Sequence, residues 1–152
     1  MTKPTMTTTE LTQLELLYEQ DETAWLETMS VMAAEGRLAE MDFANLSEYL
    51  SSMAKRDRRE VMNRLVVLLQ LLLKWECQPS RRSGSWKAAI MEQSRELEDL
   101  LESGTLHNHA EMIVSKAYEQ ARAQAAAETE LPLDTFPRNC PWDLESLLSD
   151  EN

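Results

Sequence analysis

The run Leu-Val-Val-Leu-Leu-Gln-Leu-Leu-Leu at 65–73, held between Arg64 and Lys74, constrains this chain more than any other stretch. A membrane-spanning helix needs roughly 20 predominantly apolar residues, and this run falls well short. It is also too apolar for a helix with one wet face. Val61, Leu65, Leu68, Leu69, Leu72 and Leu73 cover more than one side of a helical repeat. Such a helix belongs at the centre of a fold, touched from several directions, and no membrane span is expected.

The rest of the sequence agrees with a helical answer. Among 152 residues there are only three Gly and five Pro, so turn signals for strands are scarce. Leu, Met, Ala and Glu, all good helix formers, are plentiful. A chain of this length is one domain by the usual relation of size to core. The expected fold is all-α: a single-domain helical bundle of about five main helices plus a short C-terminal helix, over residues 9–150. Residues 1–8 form a polar, Thr-rich tail expected to be disordered. The start carries no apolar signal-peptide core, so a cytoplasmic location is expected.

Capping signals divide the chain. Leu11, Leu14, Leu17 and Tyr18 fall at helical steps, and Asp21 suits the start of a fresh helix carrying Trp25, Met29 and Met32 towards Gly36. Asp42 suits an N-cap for the next helix. That helix either breaks at Asp57, where Asp57 and Glu60 resemble a capping box, or runs on to Trp75; Pro79 ends it. Ser85 is expected to cap a helix that Gly104 stops, and Thr105 another, rich in alanine, that ends near 128–130. Residues 131–142 hold three prolines and read as an extended segment packed on the bundle. Pro141 is placed at the first position of a terminal helix reaching Leu148.

Charge limits the function classes. The formal net charge of −12 argues against a general affinity for polyanions. Its distribution is uneven. Residues 55–82 hold eight basic and three acidic side chains, whereas the stretch from Glu128 onward holds seven acids and only Arg138. That layout suits contact between tail and basic middle, or between two copies. Arg56, Arg59 and Asn63 could meet phosphates from one stripe, but Asp57 and Glu60 interrupt the run and Glu60–Arg64 has the spacing of a helix ion pair. Nucleic-acid binding through 55–64 is therefore the weaker reading.

Signatures of chemistry are missing. His107 and Glu111 share a helix face, yet no third or fourth metal ligand is evident, so no metal is assigned. Cys77 and Cys140 have no zinc-type spacing and read as free thiols. No Gly-x-Ser-x-Gly turn exists, and three glycines admit neither a dinucleotide fingerprint nor a phosphate loop. No catalytic residue and no cofactor are assigned, and the reading leans away from an enzyme.

One segment stands out: Lys-Trp-Glu-Cys-Gln-Pro-Ser-Arg-Arg-Ser-Gly-Ser-Trp at 74–86. Arg81 and Arg82 precede a helix start beside three hydroxyls, which are the ingredients of an anion site. The plainer reading has Ser85 capping, Trp75 and Trp86 anchored in the core, and the arginines bonded to neighbouring carbonyls or carboxylates.

Extended to 72–93, and together with Tyr-Glu-Gln-Asp-Glu-Thr-Ala-Trp-Leu at 18–26, the stretch from Ala-Tyr-Glu-Gln-Ala-Arg to Glu-Thr-Glu-Leu at 117–131 and Phe-Pro-Arg-Asn-Cys-Pro-Trp at 136–142, this segment resembles the bacterial domain-of-unknown-function family 29. The similarity covers about 14–150. The family pattern falls on Lys74, Trp75, Gln78, Pro79, Arg82, Ser83, Ser85, Trp86, Glu92 and Gln93, and in the tail on Phe136, Pro137, Cys140, Pro141 and Trp142. Cys77 departs from it, standing where an aromatic is usual. The resemblance implies a cytoplasmic, all-helical protein and no particular reaction. It makes Lys74, Arg82, Ser83, Ser85, Glu92 and Gln93 a candidate binding corner, with Trp75, Trp86, Phe136, Pro141 and Trp142 as structural anchors.

The expected function is a non-enzymatic helical interaction or adaptor protein with a protein partner or a second copy, the latter as a dimer. The alternative is a small-molecule or anion-binding protein, even an enzyme of unfamiliar type, that uses the Arg82/Ser83/Ser85 corner.

Overall fold

A computed structural model describes residues 8–148 of the chain. They form helices α1 (Thr8–Gln20), α2 (Glu22–Ala34), α3 (Phe43–Cys77), α4 (Gly84–Leu100), α5 (Gly104–Thr129) and α6 (Leu144–Leu147). Short 3-10 turns lie at Leu38–Glu40, Pro79–Arg81 and Leu133–Thr135. No strand occurs among the described residues, so the fold is all-α, with five main helices and a short terminal one. None of these helices is long and apolar enough to cross a membrane. Most of the expected N-terminal tail, residues 1–7, lies outside the described residues, and Thr8 already opens α1.

Several boundaries follow from local chemistry. The Asp21 carboxylate accepts from the Ala24 N–H at 3.1 Å and restarts the helix as α2. Gly36 follows the end of α2 with φ 71°, a left-handed conformation that glycine adopts without a Cβ penalty. Asp42 accepts the Asn45 N–H at 3.2 Å and opens α3. That helix does not break at Asp57. Neither Gly nor Pro occurs between 43 and 77, and Glu60 pairs with Arg64 at 3.0 Å on its surface.

Four expected boundaries are corrected. Ser83, not Ser85, caps α4, accepting the Trp86 N–H at 3.2 Å. Ser103, not Thr105, caps α5 through the Leu106 N–H at 3.3 Å. Gly104 is accordingly the first residue of α5, and α4 closes at Leu101. Asp143, not the stretch opened by Pro141, caps α6. A cap must reach an amide three residues ahead, so each helix begins just after the side chain that does so.

The described residues pack as two compact units, one up to Ala54 and the other from Lys55. Helix α3 contributes residues 43–54 to the first and 55–77 to the second. In the first unit Trp25 is fully buried among Leu14, Met29, Met32 and Met41. Its ring meets Tyr18 edge-on at 4.7 Å between centroids.

The second unit is built around the apolar run. Leu65, Leu68, Leu69 and Leu73 are wholly buried, Gln70 and Leu71 are half-buried, and Val67 is exposed. Ile90 and Leu97 of α4 and Leu144 and Leu147 of α6 join the same core. Helix α5 presents Ala110, Ala117, Ala121 and Ala125, all with no exposure, so its backbone can approach its neighbours closely. Residues 131–142 lie against this unit. Phe136 is buried, the Tyr118 hydroxyl donates to the Pro137 carbonyl, and Arg122 Nε donates to the Phe136 carbonyl at 3.2 Å. The segment is extended only in part, because Leu133–Thr135 forms a 3-10 turn.

Candidate functional site

The turn between α3 and α4 gathers the first group of candidate residues. Lys74 lies in the last turn of α3 and is 8 % exposed. Its ammonium donates to Glu128 Oε1 of α5 at 2.9 Å and stands 5.0 Å from the centre of the Trp86 ring. A nearly buried cation needs such partners, since desolvating it alone is costly. Glu128 also accepts from the Gln70 amide. The Lys74 ammonium, with help from Gln70, holds the Glu128 carboxyl below its ordinary range despite some opposing burial.

Arg82 folds back onto the end of α3. Its Nε donates to the Trp75 carbonyl at 2.7 Å, one of the carbonyls that a helix end leaves unmatched. The guanidinium also lies 4.8 Å from the centre of the Trp75 ring. Ser83 caps α4, and its hydroxyl is 2.9 Å from that of Ser85. Both tryptophans are half-buried, with Trp75 against the core and Trp86 beneath Lys74. The charges of Lys74 and Arg82 are thus engaged within the chain.

Glu92 and Gln93 do not join this group. They sit about 13 Å further along α4 at the usual rise per residue. Gln93 meets α3 well before its C-terminal turn, accepting from Arg64 Nη1 at 3.3 Å. Arg64 also reaches Glu96 at 3.8 Å, so the last cation of the basic run is held by three partners. Glu92 is exposed.

The tail anchors differ among themselves. Phe136 is buried, Trp142 half-buried and Pro141 exposed. Pro141 and Trp142 line a cleft of about 380 Å³ with Leu73, Glu76, Cys77 and Pro137. Cys77 and Cys140 are free thiols. Burial pushes both above the ordinary thiol range, aided at Cys77 by the charge of Glu76 and opposed at Cys140 by its bond to the Trp142 carbonyl. Such thiols are poor nucleophiles at neutral pH. His107 pairs with Glu111 at 3.6 Å, and among the described residues no group of three or more potential metal ligands converges.

A second concavity brings together residues that sequence reading left apart. Arg58, Arg59 and Met62 of α3 and His109, Ile113 and Lys116 of α5 line a cleft of about 240 Å³. The sequence held a partial signal for it. Arg58 and Met62 are four residues apart, and His109, Ile113 and Lys116 repeat at four and three, so each trio shares a helix face. Only the packing of α5 on α3 shows that the two faces meet.

No curated protein and no solved structure matches this chain. A family match is present: residues 17–152, nearly all of the chain and both units in large part, fit one described family. The chain belongs to the family described as Domain of unknown function DUF29.

Proposed function

We propose that this protein is a non-enzymatic helical interaction protein that engages another protein or a second copy of itself. The observation that carries the reading is the surface of the first unit. Leu16, Val31, Leu38, Phe43 and Leu50 are each about half exposed or more, in a unit of 54 residues whose own core is modest. Phe43 and Leu50 stand two turns apart on one side of α3, at 54 % and 59 % exposure. Beside them Leu16, Ala44 and Asn45 help line a groove of about 340 Å³. Phe43 and Leu50 on one side of α3, with this groove, are the kind of exposed apolar patch that an interaction surface offers. The engagement of Lys74 and Arg82 within the α3–α4 turn also favours binding through surfaces over chemistry at that corner.

The test is light scattering on a size-exclusion column combined with affinity capture, comparing the native chain with a Phe43→Ser/Leu50→Ser variant. The native chain is expected to self-associate or retain partners that the variant loses. A native chain that stays monomeric at all concentrations, and captures the same proteins as the variant, overturns the proposal.

A further inference from the structure

The cleft between α3 and α5 in the second unit has an unusual combination of floor and rim. Its floor is the apolar side chains of Met62 and Ile113, both half-buried. Its rim is Arg58, Arg59, His109 and Lys116, and no acidic residue lines it. In a chain with net charge −12 that is a local inversion of sign. Nor are these side chains paired with an acidic partner among the described residues. Unlike Arg64, Arg122 and Lys74, none of the four has a hydrogen bond, ion pair or ring contact among the described residues. Met112, three residues after His109 and four before Lys116 on α5, is an apolar side chain 83 % exposed next to this rim.

We propose that this cleft docks an acidic peptide segment of a partner protein, with one apolar side chain seated on Met62 and Ile113. The flanking carboxylates meet Arg58, Arg59 and Lys116, and His109 offers a ring N–H. Three features favour this occupant. First, the volume is below the roughly 300–1,000 Å³ of pockets that engulf a small molecule, but it suits one side chain. Second, an apolar floor gains nothing from a phosphate backbone, and no Phe, Tyr or Trp lines the cleft as a stacking platform for successive bases. Third, the acidic remainder of the chain repels a long polyanion, whereas a short acidic segment needs only the local field. Charge complementarity of this kind sets on-rate and partner choice, and the apolar anchor supplies residence time.

This inference rests on the interaction-protein reading and adds the chemistry of one partner. It is tested by fluorescence anisotropy with a labelled peptide, Glu-Asp-Glu-Leu-Asp-Glu-Asp, titrated with the full chain. Comparison probes are the same peptide with Ser in place of Leu and a single-stranded oligothymidine. Saturable binding of the leucine peptide is expected, weaker by about tenfold for the serine peptide and by about tenfold or more for Arg59→Glu or Lys116→Glu. Added salt should weaken it further. Both substitutions fall on exposed positions, and an unchanged circular-dichroism melt verifies the fold; Arg58→Glu serves as a replacement if either variant melts early. The proposal is overturned if the leucine peptide does not bind, if the serine peptide binds equally well, or if oligothymidine binds more tightly at the same salt. Loss of peptide binding while Phe43- and Leu50-dependent association persists defeats this inference alone. Loss of both defeats the interaction reading itself.

Discussion

The indole nitrogen of Trp25 donates to the carboxylate of Asp42 at 3.2 Å, across a sequence separation of 17 residues, with both side chains buried. Asp42 also accepts the Asn45 backbone N–H at 3.2 Å and the Asn45 amide at 2.7 Å. One carboxylate therefore caps α3 and ties α2 to its start. Buried at 2 % exposure, it keeps its hydrogen-bond capacity filled by three donors.

Asp42→Ala removes the cap and leaves the Trp25 N–H buried without an acceptor. The combined cost is about 2–4 kcal/mol, from a lost cap and a lost charge-assisted bond. Asp42→Asn retains an acceptor and is expected to cost less than half as much. Urea denaturation followed by tryptophan fluorescence checks the order, since Trp25 is the tryptophan of residues 1–54.

Glycines at 36 and 104 are expected to respond with opposite signs to alanine. Gly36 holds φ 71°, so Gly36→Ala strains the backbone and costs about 1 kcal/mol. Gly104 opens α5, and a Cβ added there meets nothing within 4 Å. Gly104→Ala should therefore stabilise by about 0.4–1 kcal/mol, chiefly by restricting the unfolded chain. Thermal melts of the two variants that shift in the same direction contradict this.

Ser94 lies on the buried side of α4 at 2 % exposure, and its hydroxyl oxygen has no hydrogen-bond partner among the described residues. An unmatched buried hydroxyl costs free energy that a methyl does not. Ser94→Ala is expected to raise stability by about 1 kcal/mol, read from the midpoint of chemical unfolding.

The Glu128–Lys74 pair should appear in the acid limb of stability. The folded carboxyl titrates below its ordinary value of 4.5. A group so depressed stabilises the fold above its unfolded value, and the contribution fades as pH falls through the folded value. The stability difference between the native chain and Glu128→Gln is thus full above about pH 5 and closes towards strong acid. Half of the Glu128 side chain is exposed, so salt should shrink the difference as well. Unfolding curves collected from pH 3 to 7 make the comparison.

Cys77 and Cys140, both raised by burial, should alkylate more slowly than a free cysteine at neutral pH. Iodoacetamide labelling followed by mass spectrometry should speed up as the pH is brought above the ordinary thiol value of 9.0.

The caps illustrate how much of the fold was legible. Asp21 and Asp42 are read correctly because each is the lone capping side chain before its helix. Ser83/Ser85 and Ser103/Thr105 offer two hydroxyls apiece, and local chemistry alone does not choose between them. The outcome depends on where the chain leaves the preceding helix, which the Arg82 bond to the Trp75 carbonyl helps set in the first case. The candidate corner was partly legible in the same sense. Lys74, Arg82, Ser83 and Ser85 come together because a turn only a few residues long leaves them nowhere else to go. Glu92 and Gln93, nearby in pattern, are carried away by the rise of α4.

By itself, the sequence determined the helical class, the central place of 65–73 and the helix starts at Asp21 and Asp42, because periodicity and capping act within a few residues of each other. Only the tertiary structure decided the division into two cores, the Lys74–Glu128 pair and the meeting of Arg58 and Arg59 with His109 and Lys116. Those relations span 50 or so residues of chain, and they arise from which apolar faces pack together. No local preference encodes that choice; it emerges when burying the alanine face of α5 brings two distant basic stripes to opposite sides of one cleft.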